Sequence, residues 1–213
     1  MKKLIILGYG GTCFDIADAA NETGQFEILG FLDDKPPASK NSSYPSIIGS
    51  LKEASKFKDV FFINGIGSPS SYLKKREIIS RLELPLERFA TVIHPTASVS
   101  RTAQIQPGCV LLSHTSVGSN VRLGEHVIVL QNTVLGHDDD IGDHSIISAG
   151  VTLSGRVHIG SHCYIGAGSS VRENTRIGEG SLIGLGSAVV QNVPPGEIWV
   201  GTPAKKIKTT SLR

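Results

Sequence analysis

The sequence predicts an α/β Rossmann-like domain over residues 1–90, followed by a left-handed parallel β-helix over residues 91–213 that ends in a C-terminal cap. Three observations support this fold class. An aliphatic residue recurs at every sixth position of the second half, and a glycine-rich turn follows an apolar segment at the start. Composition also changes along the chain, since all seven histidines follow residue 93 and six of the seven phenylalanines precede residue 63.

The hexad repeat runs without interruption through the second half. Its aliphatic positions are Ile93, Val99, Ile105, Leu111, Val117, Leu123, Val129, Leu135, Ile141, Ile147, Leu153, Ile159, Ile165, Val171, Ile177, Ile183 and Val189. Glycine follows many of them, and a small or β-branched residue stands two positions before most of them. Seventeen hexads at three per turn make about 5.7 coils. Since the frame never shifts, we expect no loop within the helix other than one whose length is a multiple of six.

A period of six has a direct physical meaning. Six residues make one short strand and one corner, three such units make a triangular coil, and stacked coils pair as parallel strands. The aliphatic residue points inward, and the small residue before it lets the chain turn. An α-helix repeats its faces every 3.6 residues and cannot produce a strict period of six.

The first half alternates apolar strands with helical segments, which is typical of a small parallel sheet. We predict strands at Lys3–Gly8, Phe26–Leu32, Val60–Ile63 and Ala90–Ile93, and helical segments at Asp15–Glu22 and about Ser71–Leu82.

The turn Gly8-Tyr9-Gly10-Gly11 after the first strand has two interpretations. Glycines there let a ligand approach the backbone at a helix N-terminus, and an acid about 20 residues later can bind ribose hydroxyls. Alone, this pattern would suggest NAD, but Cys13 replaces the third glycine and about 90 residues cannot build a full dinucleotide site. A tight structural turn without a ligand is the other interpretation.

Composition excludes several classes of protein. The net charge of +2 is too small for a nucleic-acid-binding surface. No apolar stretch reaches the roughly 18 residues that cross a bilayer, and the apolar start is too short for a signal peptide. We therefore expect no membrane insertion and a cytoplasmic protein. Three widely spaced cysteines indicate neither a disulfide framework nor a zinc site.

The combination of G-Y-G-G, F-L-D-D and a hexapeptide helix resembles the hexapeptide-repeat nucleotide-sugar acetyltransferases. This group includes UDP-4-amino-sugar and GDP-perosamine N-acetyltransferases and the sialic acid O-acetyltransferase-like proteins. The resemblance implies a homotrimer that uses acetyl-CoA and a nucleotide-linked amino sugar, with no metal. By motif, it assigns the nucleotide-sugar to Gly10, Gly11, Thr12, Asp33, Asp34 and Gly67. It assigns acetyl-CoA to coil corners that include Ala149, Ala167 and Leu185, and the segment from Asn192 to Lys205 resembles the one that ends the helix beside the acetyl-CoA site.

Amide formation from a thioester requires a base within hydrogen-bond reach of the amine, and histidine is the natural group. His137-Asp138 lies in a segment resembling the one in which, in this family, the histidine is the base and the following acid orients it. Neighbours in a strand point to opposite faces, so Asp138 reaches His137 only if a corner brings them together. His114 and His94 are the next candidates. We expect exposed coil residues at His126, His144, His158 and His162.

The predicted reaction is direct attack by the sugar amine, since no cysteine lies near His137 to form an acyl-enzyme. An O-acetyltransferase acting on a sialic acid or another sugar hydroxyl is the first alternative, because the same base would serve. A metal-dependent hydratase of the same fold, or a sugar-binding solenoid without catalysis, is the second. For a metal, the candidate ligands would be His137, Asp139, Asp143 and His144.

Overall fold

The computed structural model describes residues 1–35 and 43–210. In its first half, four parallel strands form a sheet in the order β3–β2–β1–β4. They are β1 Lys2–Leu7, β2 Phe26–Leu32, β3 Ile47–Gly49 and β4 Phe61–Asn64. The residues from Leu4 to Leu7 are all fully buried, which explains why this strand reads as a continuous apolar run rather than an alternating one.

Helices cover this sheet, and their bounds differ in part from those predicted. The α-helices are α1 Gly11–Glu22 and α2 Lys75–Ser80, and short 3₁₀ segments occupy Leu51–Lys56, Tyr72–Lys74 and Leu86–Arg88. Helix α1 begins four residues earlier than expected, directly at the glycine-rich turn. The segment predicted as one helix near residues 71–82 is divided into a 3₁₀ turn and α2. Strand β3 is not predicted, because it is only three residues long.

Between residues 92 and 189, all of them described, seventeen two-residue strands follow one another. They are β5 Val92–Ile93, β6 Ser98–Val99, β7 Gln104–Ile105, β8 Val110–Leu111, β9 Ser116–Val117, β10 Arg122–Leu123, β11 Ile128–Val129, β12 Val134–Leu135, β13 Asp140–Ile141, β14 Ile146–Ile147, β15 Thr152–Leu153, β16 His158–Ile159, β17 Tyr164–Ile165, β18 Ser170–Val171, β19 Arg176–Ile177, β20 Leu182–Ile183 and β21 Ala188–Val189. Each strand ends on a predicted aliphatic residue. The predicted frame is confirmed, and no loop interrupts it.

The strands form three faces of a triangular prism. The first face contains β5, β8, β11, β14, β17 and β20; the second contains β6, β9, β12, β15, β18 and β21; and the third contains β7, β10, β13, β16 and β19. Within each face, equivalent strands of successive coils pair in parallel. We call the corner between the first and second faces the first edge (148–151 in one coil). The second edge joins the second and third faces (136–139), and the third edge returns to the first face (142–145).

The aliphatic residues stack into one core along the axis of the prism, and those from Leu111 to Val189 are at most 3% exposed. Strand β22 Glu197–Val200 continues the first face, and β23 Lys205–Thr209 pairs with it in antiparallel orientation. This hairpin caps the last coil, where Trp199 and Ala204 complete the core. No helix in the described part of the chain is long and apolar enough to cross a membrane.

The first face also carries a second apolar column, which points outward. Its residues Val110, Ile128 and Ile146 are buried against α1, whose Cys13, Ile16, Ala17 and Ala20 belong to the same cluster. Farther along, Tyr72 packs on Tyr164 and donates a hydrogen bond of 3.0 Å to Gly180 O. The two halves of the chain therefore share a continuous apolar interface.

Candidate functional site

His137 and Asp138 lie on the second edge, between the end of β12 at Leu135 and the start of β13 at Asp140. Asp138 adopts φ 59°, a left-handed conformation that aspartate tolerates better than most residues. This conformation turns its carboxylate back toward the preceding side chain, and His137 Nδ1 lies 2.8 Å from Asp138 Oδ2. The side chains are 50% and 46% exposed, respectively. The corner thus brings together two neighbours that a strand would separate.

The carboxylate of Asp138 is held from both sides. Asn120 Nδ2, one coil earlier, donates a hydrogen bond of 3.0 Å to Asp138 Oδ1. The hydrogen bonds from His137 and Asn120 hold the pKa of Asp138 below its ordinary value, so the group is ionised at neutral pH. An ionised carboxylate on Nδ1 fixes the tautomer in which Nδ1 carries the proton. Nε2 is then the unprotonated nitrogen that can accept a proton.

Gly155 of the next coil lies directly against the imidazole. A Cβ added at Gly155 would stand 3.0 Å from His137 Nε2 and 3.2 Å from Cδ2. Gly155 is buried and has φ +109°. Only glycine fits both this backbone conformation and the ring beside it.

A cleft of about 260 Å³ at the glycine-rich turn gathers five of the six residues assigned to the nucleotide-sugar. Gly10, Gly11, Thr12, Asp33 and Gly67 all line it. Helix α1 begins at Gly11, so its N-terminal backbone N–H groups and the positive end of its dipole face the cleft, which favours an anion. Asp33 is fixed at the rim, where its Oδ2 accepts a hydrogen bond of 2.8 Å from the N–H of Tyr9.

Gly67 also has a packing role. A Cβ on this residue would collide with Ile146 Cδ1. The glycine therefore lets the wall of the cleft approach the first face of the β-helix.

The sixth residue, Asp34, is placed elsewhere. It does not line the cleft, and its Oδ1 accepts a hydrogen bond of 2.9 Å from the N–H of Leu51. That N–H opens the 3₁₀ segment after β3 and has no partner within the segment. In this structure Asp34 joins the loop after β2 to the 3₁₀ segment at Leu51 and does not line the glycine-rich cleft.

The corner residues assigned to acetyl-CoA form one column on the first edge. Gly168 N donates to Ala149 O at 2.9 Å, and Gly186 N donates to Ala167 O at 2.8 Å. Leu185 is 82% exposed and stands at the end of this column. The column lies on a different edge from His137, and neither contributes to the lining of the glycine-rich cleft. Within one chain, the three predicted subsites are therefore separate.

Two of the remaining histidines contradict the expectation of exposed coil residues. His126 is 3% exposed and His144 is 8% exposed. With the partly buried His162 they stack face to face along the third edge at centroid distances of 5.1 and 5.2 Å, and Phe89 packs edge-on against His126. Burial lowers the pKa of His126 to about 4 and of His144 to about 3. They are buried because the first half of the chain covers this edge.

Lys75 in α2 is a buried charged residue that the sequence gives no reason to single out. Its side chain is completely buried, and its ammonium donates to the carbonyl oxygen of His126. Burial lowers its pKa to about 7. The other two histidine candidates have ordinary surroundings: His94 Nε2 lies 3.0 Å from Glu22 Oε2, and His114 is exposed at a corner.

The candidate metal ligands are not brought together. His137 and Asp139 lie on the second edge, whereas Asp143 and His144 lie on the third. Within residues 1–35 and 43–210, no group of three or more His, Cys, Asp or Glu side chains has a geometry that could hold a metal ion.

Comparison with known proteins follows the same division into two halves. Residues 3–82 match the family described as the PglD N-terminal domain, and residues 156–189 match the bacterial transferase hexapeptide repeats. The acetyltransferase domain of PglB from Neisseria gonorrhoeae FA1090, solved in complex with acetyl coenzyme A, is 30% identical with a TM-score of 0.86. The alignment covers 97% of this chain and 99% of that one. The chain belongs to the hexapeptide-repeat nucleotide-sugar acetyltransferases.

Two further proteins are similar to this chain. UDP-N-acetylbacillosamine N-acetyltransferase from Bacillus subtilis (strain 168) is 31% identical over 118 residues, and the match spans about half the length of that curated relative (52%). PerB from Caulobacter crescentus, in complex with CoA and GDP-perosamine, has a TM-score of 0.84 over 97% of this chain and 98% of its own. At 20% identity it shows the fold alone. The predicted family and the predicted left-handed β-helix with a Rossmann-like domain are confirmed.

Proposed function

We propose that this chain transfers the acetyl group of acetyl-CoA to the amine of a nucleotide-linked amino sugar, with His137 as the general base. The observation that carries this proposal is the half-exposed His137–Asp138 pair, in which an ionised carboxylate binds Nδ1 and leaves Nε2 to accept a proton. Asp138 orients the ring and stabilises the imidazolium that forms. This is the arrangement that general-base catalysis requires near neutral pH.

The reaction proceeds by direct attack. The amine nitrogen forms a bond to the thioester carbonyl carbon while its proton passes to His137 Nε2. The carbon–sulfur bond then breaks, and the imidazolium returns the proton to the departing CoA thiolate. All three cysteines are buried, and burial raises the pKa of each thiol to about 12. Such thiols are poor nucleophiles, which supports transfer without an acyl-enzyme.

The glycine-rich cleft supports a nucleotide-linked acceptor. The N-terminus of α1 suits a diphosphate, and Asp33 at the rim can accept hydrogen bonds from ribose or sugar hydroxyls. The names of the relatives agree with this chemistry: one is a UDP-N-acetylbacillosamine N-acetyltransferase, and the PglB domain was solved with acetyl coenzyme A bound. We assign acetyl-CoA to the first edge, along the column of Ala149, Ala167 and Leu185.

The working assembly in this proposal is a homotrimer. The nucleotide cleft, the His137 corner and the Ala149 column lie on separate parts of one chain, so a site that uses all three requires a neighbouring copy to supply at least one of them. Sedimentation should show three copies per particle. A stable and fully active monomer would contradict this assembly. The predicted cytoplasmic location stays a prediction.

The decisive test is turnover by His137→Ala. We expect kcat to fall by about 10²–10⁴-fold while both substrates still bind, because the cleft and the coil backbone are unchanged. Asp138→Asn should cost less, since it alters only the orientation and basicity of the ring. The assay follows CoA release with UDP-, GDP- and dTDP-linked amino sugars, and includes the matching hydroxyl sugars. Turnover confined to a hydroxyl sugar would favour the O-acetyltransferase alternative, and near-normal turnover by His137→Ala would refute the assigned base.

A further inference from the structure

Asp139, the residue after the catalytic pair, is a carboxylic acid inside the β-helix. Its side chain is fully buried. It occupies the inward position before β13, and the equivalent residues of the other coils carry no charge. They are Ala103, Val121, Val157, Thr175 and Val193. Burying a carboxyl group is costly unless its oxygens are hydrogen-bonded. The repeat therefore serves as an internal control, in which one coil alone carries an acid at this position.

The other coils show what a polar side chain does at an inward position. Several donate a hydrogen bond to the carbonyl oxygen 15 residues later, as Thr133 does to Ser148 O and Ser145 to Gly160 O. Ser145 and Ser169 also accept a hydrogen bond from the backbone N–H of the residue 18 positions later. An inward hydroxyl thus connects one coil to the next through both a donor and an acceptor contact.

Asp139 makes the acceptor contact of this pattern. Its Oδ1 accepts a hydrogen bond of 2.8 Å from the N–H of Val157, 18 residues later. Its Oδ2 is buried and has no partner in the described part of the chain. In the same register, the carbonyl 15 residues after Asp139 belongs to Ser154. That residue immediately precedes Gly155, against which the imidazole of His137 lies.

Several hydrogen bonds connect the catalytic corner to the next coil, and two of them flank Asp138. The N–H of Arg156 donates to His137 O at 2.8 Å, and the N–H of Val157 donates to Asp139 Oδ1. One bond lies on each side of Asp138. The pair fixes the distance between the backbone that carries His137 and the backbone of Gly155.

We propose that Asp139 is a positioning residue for acetyl transfer, whose buried carboxyl group ties the catalytic corner to the next coil and so holds the imidazole of His137 against Gly155. This inference rests on the proposed role of His137 as the base. It concerns a group that touches neither substrate and acts only through its neighbours.

The charge of Asp139 adds a signature that a purely structural residue would lack. Burial raises its pKa to about 6, and the hydrogen bond from the N–H of Val157 opposes this rise. The charged groups that act on it are His137, which lowers its pKa, and Asp138, which raises it. Val121 and Val157, stacked on either side, carry no charge. Removing the negative charge of Asp139 should therefore change the pH dependence of the rate.

Two substitutions separate the anchor from the charge. Asp139→Val gives the residue found at Val121 and Val157 and removes both oxygens. Asp139→Asn keeps an oxygen for the N–H of Val157, offers an N–H to Ser154 O and removes the charge. Thr175→Val is the matched control, because it lies in the same column two coils later and away from His137.

The measurements are kcat, the KM of both substrates and Tm, each across the pH range of the rate. We expect Asp139→Val to keep Tm and both KM values while kcat falls about 10-fold or more, since small misplacements of a catalytic group are costly. Asp139→Asn should recover most of kcat, and the midpoint of the acid limb of its rate should move to lower pH, because the negative charge is gone. Thr175→Val should match the wild type.

Wild-type kcat in Asp139→Val, or an unmoved midpoint in Asp139→Asn, would overturn the inference. If Asp139→Val fails to fold, the midpoint of the acid limb of the rate in Asp139→Asn tests the inference by itself. His137→Ala in the same assay keeps the two proposals apart. An inactive His137→Ala beside a fully active Asp139→Val refutes only the role of Asp139, whereas an active His137→Ala refutes the proposed base.

Discussion

The contact between His137 and Gly155 makes Gly155→Ala an informative substitution. The added Cβ would stand 3.0 Å from Nε2 and 3.2 Å from both Cδ2 and the carbonyl oxygen of His137. These separations are several tenths of an ångström below ordinary van der Waals contact. The ring can move away, but the backbone carbonyl is held by its hydrogen bond from Arg156. We therefore expect the imidazole to rotate away from its position.

The magnitude follows from two separate effects. A non-glycine residue at φ +109° costs about 1–3 kcal/mol, which for a chain of this size lowers Tm by about 2–12 °C. The displacement of the ring is smaller than the 1 Å that can cost about 10²-fold in rate, so we expect kcat to fall by about 10-fold. Both KM values should stay near those of the wild type, because neither the cleft nor the first edge is altered.

Steady-state kinetics and thermal melts on Gly155→Ala and on a control variant test these expected changes in kcat and Tm. Gly24→Ala is the control, because Gly24 also has a positive φ, +66°, and its added Cβ meets nothing within 4 Å. It should lower Tm and leave kcat unchanged. Wild-type kcat in Gly155→Ala, with the expected loss of Tm, would show that the position of the ring against Gly155 has no part in the reaction.

Three further predictions concern the cleft, the core and the buried histidines. Asp33→Ala should raise the KM of the nucleotide sugar with little change in kcat. Asp34→Ala should lower Tm and leave that KM unchanged. Equal effects of the two substitutions on this KM would contradict the different placement of Asp33 and Asp34. Ile147→Asp should abolish cooperative melting, because an unpaired carboxylate in the aliphatic core costs several kcal/mol, and a soluble variant with a normal Tm would contradict the stack. Tm should fall as the pH is lowered from about 7 to 5, because in this range His126 and His144 take up protons only in the unfolded chain. His144→Asn should reduce the slope of Tm against pH. An unchanged slope would show that the buried ring of His144 is not its source.

The β-helix could be predicted from the sequence almost residue by residue, since its period arises from the geometry of each coil and not from distant contacts. The burial of His126 and His144 was missed, because it depends on which edge the first half of the chain covers. The sequence does contain a pattern that marks the face of the β-helix covered by the first half of the chain. The residue before the aliphatic one is apolar in every third hexad, as at Val110, Ile128 and Ile146, and mostly polar in the others. A period of 18 within the period of six marks the face that carries a second layer.

The two acids after β2 show a limit of the motif. Asp33 and Asp34 are chemically equivalent in sequence, and the pattern F-L-D-D assigns both to the ligand. Which of them turns away is decided by the position of the Leu51 N–H, and this depends on β3, a three-residue strand with little sequence signal of its own. Residue type alone makes Asp139 a candidate metal ligand, whereas the hexad frame places it at an inward position.

The frame also explains why His137 differs from the other histidines at corners. His114, His126, His144 and His162 all occupy the left-handed corner position, with φ between 57° and 60°. His137 stands one residue earlier in its hexad, and on its edge the left-handed position belongs to Asp138. A histidine at the left-handed position has no following residue turned back toward it, because the next residue already enters the inward position before a strand. Among the seven histidines, all of them described, His137 is the one whose ring contacts the acid beside it in the sequence. The position of the pair within the hexad, more than the His-Asp dipeptide itself, brings these two side chains together.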